Sequence, residues 1–478
     1  MLYLVSEKYL YYERNVLCGD VNAERAPICR SSRKMIKERN PMKIRRGILT
    51  VLTAAASVTL LSGCARSVLN YQVAECIGTL NKYENNEPVE TPKMQAQREQ
   101  RESEEALEKE RIDILAQAEA LALSYYYEEA AALIQNTEVL KGDERASEAV
   151  ARYQEQMDSL YEYELDKNDI GHLCFTNLIV DTTRAFDGDS YSQTYRENMI
   201  TLTEFENILN TLYESGYVLV NLQSLAEETQ SARDVLLTAK NPVLPQGKKP
   251  IVFSVENLTY ASVANGDGVA TRLALDENGE VGAVYTDENG HELIGAYDVI
   301  PVLEQFIEEH PDFSYQGARG VISISGKDGA FGYLVEEDSD LNWEENANTV
   351  KAIADKLRED GWAFASAGYS YQWMGNFSYD ELKEDITKWQ ASIGSLIGEC
   401  NVLLYPYGSE VSYETEKAVF LIGQGFRYLV GSWPEGDHIE VNDTYLRQTR
   451  RMVTGYVLDN YPGYFSPYFG AGAIDEKR

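Results

Sequence analysis

From Gly171 onward one unit recurs: an apolar stripe at helical spacing, a glycine, then a short run of strand formers. Phe205, Ile208, Leu209 and Leu212 lead to Gly216 and "YVLV"; Val350, Ile353 and Leu357 lead to Gly361 and "WAFAS". Leu382, Ile386, Trp389, Ile393 and Leu396 lead to "NVLLY", and a last helix ends at Gly425 before "FRYLVGS". The glycines suit the left-handed position that closes a helix. Strands alternating with helices give a largely parallel sheet or barrel wrapped by helices, which is an α/β fold. An earlier strand around Cys174–Val180 belongs to the same series, as does "KKPIVFSVENLTY" at 248–260. In the latter, Ile251, Val252 and Phe253 form a continuous apolar run that ends at Glu256 and Asn257. Strand ends of this kind carry the chemistry in α/β proteins.

The first 63 residues have a different character. From Met42, "MKIRRGILTVLTAAASVTLLSGC" has a basic start, an apolar run from Ile48 to Leu61, and small residues before Cys64. That is the layout of a secretory signal, and the run is short for a membrane span. Leu61-Ser62-Gly63-Cys64 resembles the lipobox of bacterial lipoproteins, which implies a lipid on Cys64 and a place at the outer face of a cell membrane. Residues 1–41 then read as an upstream extension, 42–63 as the signal and 64–105 as a polar tether. The formal charge of −34 argues against nucleic acid as a partner. Cysteines 76, 174 and 400 show neither CxxC nor zinc spacing, so they read as isolated thiols.

Within 106–165, Ile114, Leu115, Ala118, Leu121 and Ala122 make one helical face, and Ala130, Ala131, Leu133 and Ile134 make a second. Val150, Tyr153, Met157 and Leu160 come next as a third. Short helices with short turns resemble one tetratricopeptide-like repeat, which cannot bury its own face and packs on the neighbouring downstream domain; a spacer is its plainest role. Between 270 and 296, Asp-Glu-Asn-Gly occurs at 276–279 and again at 287–290, flanked by alternating segments. Asn-Gly favours tight antiparallel turns, so a three-stranded flap is expected there.

The series "NLIVDTTRAFDGD", "SVENLTY", "EDGWAFAS" and "LLYPYGSEV" resembles, in that order, the polysaccharide deacetylase (NodB-homology) family, and in particular its exported Gram-positive members. The resemblance spans 171–460, leaves 461–478 as a C-terminal tail, and implies a distorted (β/α) barrel. It also implies a divalent metal such as zinc, held by one Asp and two His, with a second Asp as general base; the metal polarises the acetamide and its bound water. Carried onto this chain, the base position is Glu256 and the metal positions are Asn257, Ala367 and Tyr371. The arginine position of the Arg-x-Pro-Tyr motif is Leu404, ahead of Pro406, Tyr407 and Gly408. Phe175-Thr176 stands where Phe-His is common, and no histidine follows His438.

An amide oxygen, a methyl group and a phenol do not replace a carboxylate and two imidazoles. His172, His291, His310 and His438 show no ligand spacing and read as ordinary structural histidines. The expectation is therefore a membrane-anchored pseudoenzyme without a metal cofactor, one that binds cell-envelope glycan or an envelope protein. Its cleft would be lined by Glu256, Asn257, Tyr369, Tyr371, Trp373 and Tyr407, since rings stack on sugar faces. Two other readings stand beside it. One is an active deacetylase or esterase with a non-standard site, for which Ser254, Glu256 and Asp385 are available without a visible base–nucleophile pair. The other is a transporter's solute-binding lipoprotein, which requires two similar α/β lobes.

Overall fold

The structure, a computed structural model, describes residues 91–230, 235–337, 341–432 and 436–475. The upstream extension, the signal, Cys64 and most of the tether lie outside the described residues. The chain divides into two compact units, 1–103 and 104–478. In the first, the described residues belong to a helix that begins at Pro92, so the last part of the expected tether is helical instead.

The second unit is built on a ten-stranded sheet. Its strands are β1 (Gly171–Phe175), β2 (Tyr217–Leu219), β3 (Lys249–Val255), β4 (Val321–Ile324), β5 (Ala363–Ser366), β6 (Val402–Leu404) and β7 (Tyr428–Gly431). The last three are β8 (Ile439–Val441), β9 (Leu446–Thr449) and β10 (Arg451–Val453). The order is β8-β9-β7-β6-β5-β4-β3-β1-β10, with β2 on β3, and every pairing is parallel except β8 with β9. The sheet is curled: β9 pairs with β7, β10 pairs with β1, and only Arg450 lies between β9 and β10 in the chain.

Period-two alternation sorts these strands into two faces. Phe175, Phe253, Ile322, Phe364, Leu403 and Leu429 face the helices, where they meet Leu212, Leu303, Ile353, Leu357, Ile386 and Leu421. Val252, Val321, Ala365, Val402, Val430 and Leu446 form a second cluster on the opposite, inner face. Both sets are fully or almost fully buried, which explains why the strands read as continuous apolar runs. There is one large sheet in a single compact unit among the described residues. The two lobes required by the solute-binding reading are absent from it.

Three peripheral regions refine the expected boundaries. The helices Pro92–Leu123, Tyr127–Gln135 and Glu144–Asp158 bury Ala118, Ala130, Ile134, Ala149 and Tyr153 in one cluster with Val218 and Leu244. Strand 160–162 also pairs with 243–245, and the Tyr125 hydroxyl donates to the Asp312 carbonyl (2.6 Å). These helices pack as a docked layer, since a single repeat cannot bury its own apolar face. The segment after 460 is not a tail. Phe465, Tyr468, Phe469 and Ala473 belong to the main core, and the Tyr217 hydroxyl donates to the Pro467 carbonyl (2.8 Å). The three-stranded antiparallel sheet 270–275, 281–286 and 292–295 stands where the paired Asp-Glu-Asn-Gly turns predict it. In each turn the leading Asp accepts from two backbone N–H groups downstream.

Candidate functional site

Glu256 and Asn257 leave β3, Ala367 to Tyr371 leave β5, and Tyr405 to Gly408 leave β6, so all converge on the carboxyl ends of parallel strands. Each loop has a specific anchor. The helix Tyr379–Trp389 starts at a reciprocal cap between Ser378 and Glu381 and is pinned by the Trp389 indole, which donates to the Ile324 carbonyl (2.8 Å). That fixes Asp385, whose carboxylate accepts from the backbone N–H groups of Tyr369 (2.8 Å) and Ser370 (2.9 Å). Asp385 is therefore a loop clamp. On the other flank, the Gly375 N–H donates to the carbonyl (2.9 Å) and hydroxyl (3.1 Å) of Ser409. Asn257, Tyr371 and Tyr407 all have left-handed backbones, with φ of 47°, 52° and 56°. Non-glycine residues held this way cluster at ligand sites, because surrounding contacts must enforce them.

At the centre is a buried ion pair. Arg450, in the gap between β9 and β10, donates to both Glu256 oxygens: Nε to Oε2 (3.0 Å) and Nη2 to Oε1 (3.0 Å). Its remaining N–H groups reach the carbonyls of Val430 (3.0 Å), Gly431 (3.2 Å) and Tyr405 (2.9 Å). The guanidinium thus has five N–H groups and five acceptors. Glu256 also accepts from the Tyr371 hydroxyl (2.9 Å) and the Cys174 thiol (3.4 Å). Burial, with the Glu256 charge next in importance, pushes the Tyr371 phenol far above its usual range, and the same causes act on the Cys174 thiol. Both therefore remain protonated donors.

Asn257 is turned away from this pair. Its side-chain oxygen accepts from the Ser325 N–H (2.9 Å) and its own N–H donates to the Ser323 hydroxyl (2.8 Å). Ala367 is wholly buried, its N–H bonded to the Ile324 carbonyl (3.1 Å). The donor set at the three metal positions is an amide already in use, a methyl group and a phenol committed to Glu256. The hydroxyls of Ser325 and Ser370 are buried beside them without a hydrogen-bond partner among the described residues. Neutral oxygens of this kind do not fit the carboxylate and imidazole set that a zinc-like ion requires.

The expected cleft residues divide into two groups. Tyr371 tilts against Tyr407 (centroids 5.1 Å apart), and Tyr407 stacks on Trp373 (5.0 Å, 14° between planes). Trp373 and Tyr407 are 51% and 52% exposed, so the stacked pair stands open to solvent above the buried Glu256. Tyr369 is engaged elsewhere: its hydroxyl donates to Glu336 (2.9 Å) and the Lys388 ammonium lies 3.7 Å above its ring. Leu404 is buried in the inner apolar cluster, and the Thr176 hydroxyl donates to the Asn198 carbonyl (2.7 Å).

One arrangement is not legible in the sequence motifs. His172 Nε2 lies 2.8 Å from the Ser254 hydroxyl and Nδ1 lies 2.9 Å from Gln448 Oε1. Gln448 Nε2 donates to the Ile170 carbonyl (3.0 Å), so its oxygen is the acceptor. Nδ1 then carries the proton and Ser254 donates to Nε2. A base–nucleophile pair is thus present where sequence spacing shows none. All three side chains are fully buried, however, and no substrate atom reaches Ser254. Burial, with the nearby Arg450 charge second, pulls the His172 imidazole down to about 3. Alternation on "LRQTRRMV" is the available signal, since Gln448 and Arg450 share the inward face of Leu446.

The fold and this mouth define an α/β protein whose polar site lies at the carboxyl ends of a curled parallel sheet. The polysaccharide deacetylase family model matches residues 339–423, which include β5, β6 and the loops carrying Ala367, Tyr371 and Tyr407. Among solved structures the chain is similar to the Streptococcus pyogenes deacetylase PplD, described in complex with acetate. The two are 12% identical, the likeness covers 63% of this chain and 98% of that one, and the TM-score is 0.35. No curated protein matches the chain.

Proposed function

We propose that this protein is a catalytically degenerate polysaccharide deacetylase-like protein that binds envelope glycan at the aromatic mouth of its sheet. In this reading the curled sheet is the distorted (β/α) barrel of the family. Cys64 carries the lipid that holds the protein at the outer membrane face. The observation that carries the proposal is the saturation of Glu256. A general base needs a free lone pair aimed at an activated water, and here both oxygens are taken by Arg450, Tyr371 and Cys174. Above it, the stacked Trp373 and Tyr407 rings offer the surface on which sugar faces pack.

The test uses the full chain in detergent after dialysis against zinc. Substoichiometric zinc, acetate release from chitin and peptidoglycan at the buffer rate, and measurable binding of chitin oligosaccharides are the expected outcomes. Stoichiometric zinc with acetate turnover would instead favour the active-enzyme reading.

A further inference from the structure

Of the four donors on Glu256, those from Arg450 and Cys174 are sealed inside the sheet, whereas Tyr371 alone comes from the half-buried rim. The span that carries it lies between two clamps: Asp385 holds the N–H groups of Tyr369 and Ser370, and Ser409 holds that of Gly375. Between them Gln372 and Trp373 are exposed and Tyr371 keeps its left-handed backbone, a conformation that contacts must maintain. Two buried hydroxyls lack partners among the described residues: that of Ser370, which precedes Tyr371 in the chain, and that of Ser325, whose N–H donates to the Asn257 side chain. A buried polar atom left unpaired is costly, so orphan hydroxyls mark a place where a polar ligand or water completes the network.

We propose that Glu256 reads a ligand hydroxyl and that the Tyr371 phenol is its resident, displaceable stand-in. This inference rests on the glycan-binding reading and adds to it a named acceptor and a gate. A hydroxyl presented by a sugar stacked on Trp373 and Tyr407 competes with the Tyr371 O–H for Glu256 Oε1. Displacing the phenol releases the residue from its left-handed backbone. The charge-assisted bond to a carboxylate is stronger than one between neutral groups, which gives the site its preference for hydroxyl-rich ligands. Chemistry does not follow, because Arg450 keeps the carboxylate neutralised in either state.

Calorimetric titration of chitin oligosaccharides into the full chain separates the two claims. Removing the competing hydroxyl in Tyr371→Phe leaves the ring stack in place and should tighten binding by about three- to tenfold, the worth of one hydrogen bond. The ligand should also raise the Tm of this variant more than that of the parent, because Oε1 is then unpaired with a hydroxyl until ligand arrives. Weaker binding in Trp373→Ala with no tightening in Tyr371→Phe would overturn the gate and leave the aromatic platform standing. No binding by any of the three proteins would overturn the glycan reading and the gate together.

Discussion

Two neighbouring layers of the inner sheet face carry constellations that resemble catalytic machinery, and neither is free to act. Cys174, Glu256 and Arg450 form the layer at the mouth; His172, Ser254 and Gln448, each two residues earlier in the chain, form the layer beneath. The upper layer is joined through Tyr371 to the half-exposed Tyr407 and Trp373, but every acceptor on its carboxylate is taken. The lower layer has the hydrogen bonds and tautomer of a working Ser–His pair but no approach at all. Hydrogen-bond geometry alone therefore does not make a catalytic site. Access and an unspent lone pair are separate requirements, and in this molecule they fail in different layers.

The largest expected effect separates the layers by charge. Removing either partner of the Arg450–Glu256 pair leaves an uncompensated buried charge, which costs about 3–5 kcal/mol. Urea unfolding of Arg450→Met and of Glu256→Gln should each show a loss of that size. The combined variant should recover about half or more of the summed loss, since the two charges disappear together. Additive losses would mean that the pair is not coupled and that the mouth is held by its other contacts.

A smaller effect belongs to the lower layer and is read by pH. The unfolded imidazole takes up a proton near 6.5, whereas folded His172 resists until about 3. Between those values the unfolded state binds more protons, so stability rises with pH across the window and is lost on acidification below 6.5. The slope approaches about 1.4 kcal/mol per pH unit, or about 2 kcal/mol between pH 7 and pH 5. His172→Gln should remove that part of the slope whatever it does to stability at pH 7. An identical slope in both proteins would mean that His172 is protonated in the fold.

The contrast between the layers also shows what one-dimensional pattern makes legible. Helix–glycine–strand repeats expose the parallel sheet, and Asn-Gly turns expose the flap, because both signals are local in the chain. Glu256 and Tyr371 can be placed at one mouth only through the family resemblance, 115 residues apart. Arg450 stays invisible because it acts across 194 residues, from the one-residue gap between two strands so short that the inward alternation looks like a charged surface run. The buried C-terminal segment escapes for the same reason: Phe465, Tyr468 and Phe469 sit on short turns without helical or strand periodicity, and the surfaces that bury them lie far away in sequence.

The smallest expected effect on stability falls on the outermost part of the mouth, and there the comparison is sharpest. Trp373 and Tyr407 are about half exposed and stack mainly on each other, so Trp373→Ala removes little area from the core. Substitutions at such surfaces usually stay within about 0.5 kcal/mol, a fraction of the loss expected in the Arg450 layer. Binding should move the opposite way, since the lost ring is the platform itself: a weakening of about tenfold or more for chitin oligosaccharides corresponds to one stacked aromatic. Arg450→Met and Glu256→Gln would then be read mainly in unfolding, and Trp373→Ala mainly in titration. A Trp373→Ala protein that unfolds several kcal/mol earlier, with binding intact, would make the stacked pair a structural lid over Glu256 and remove it from the ligand surface.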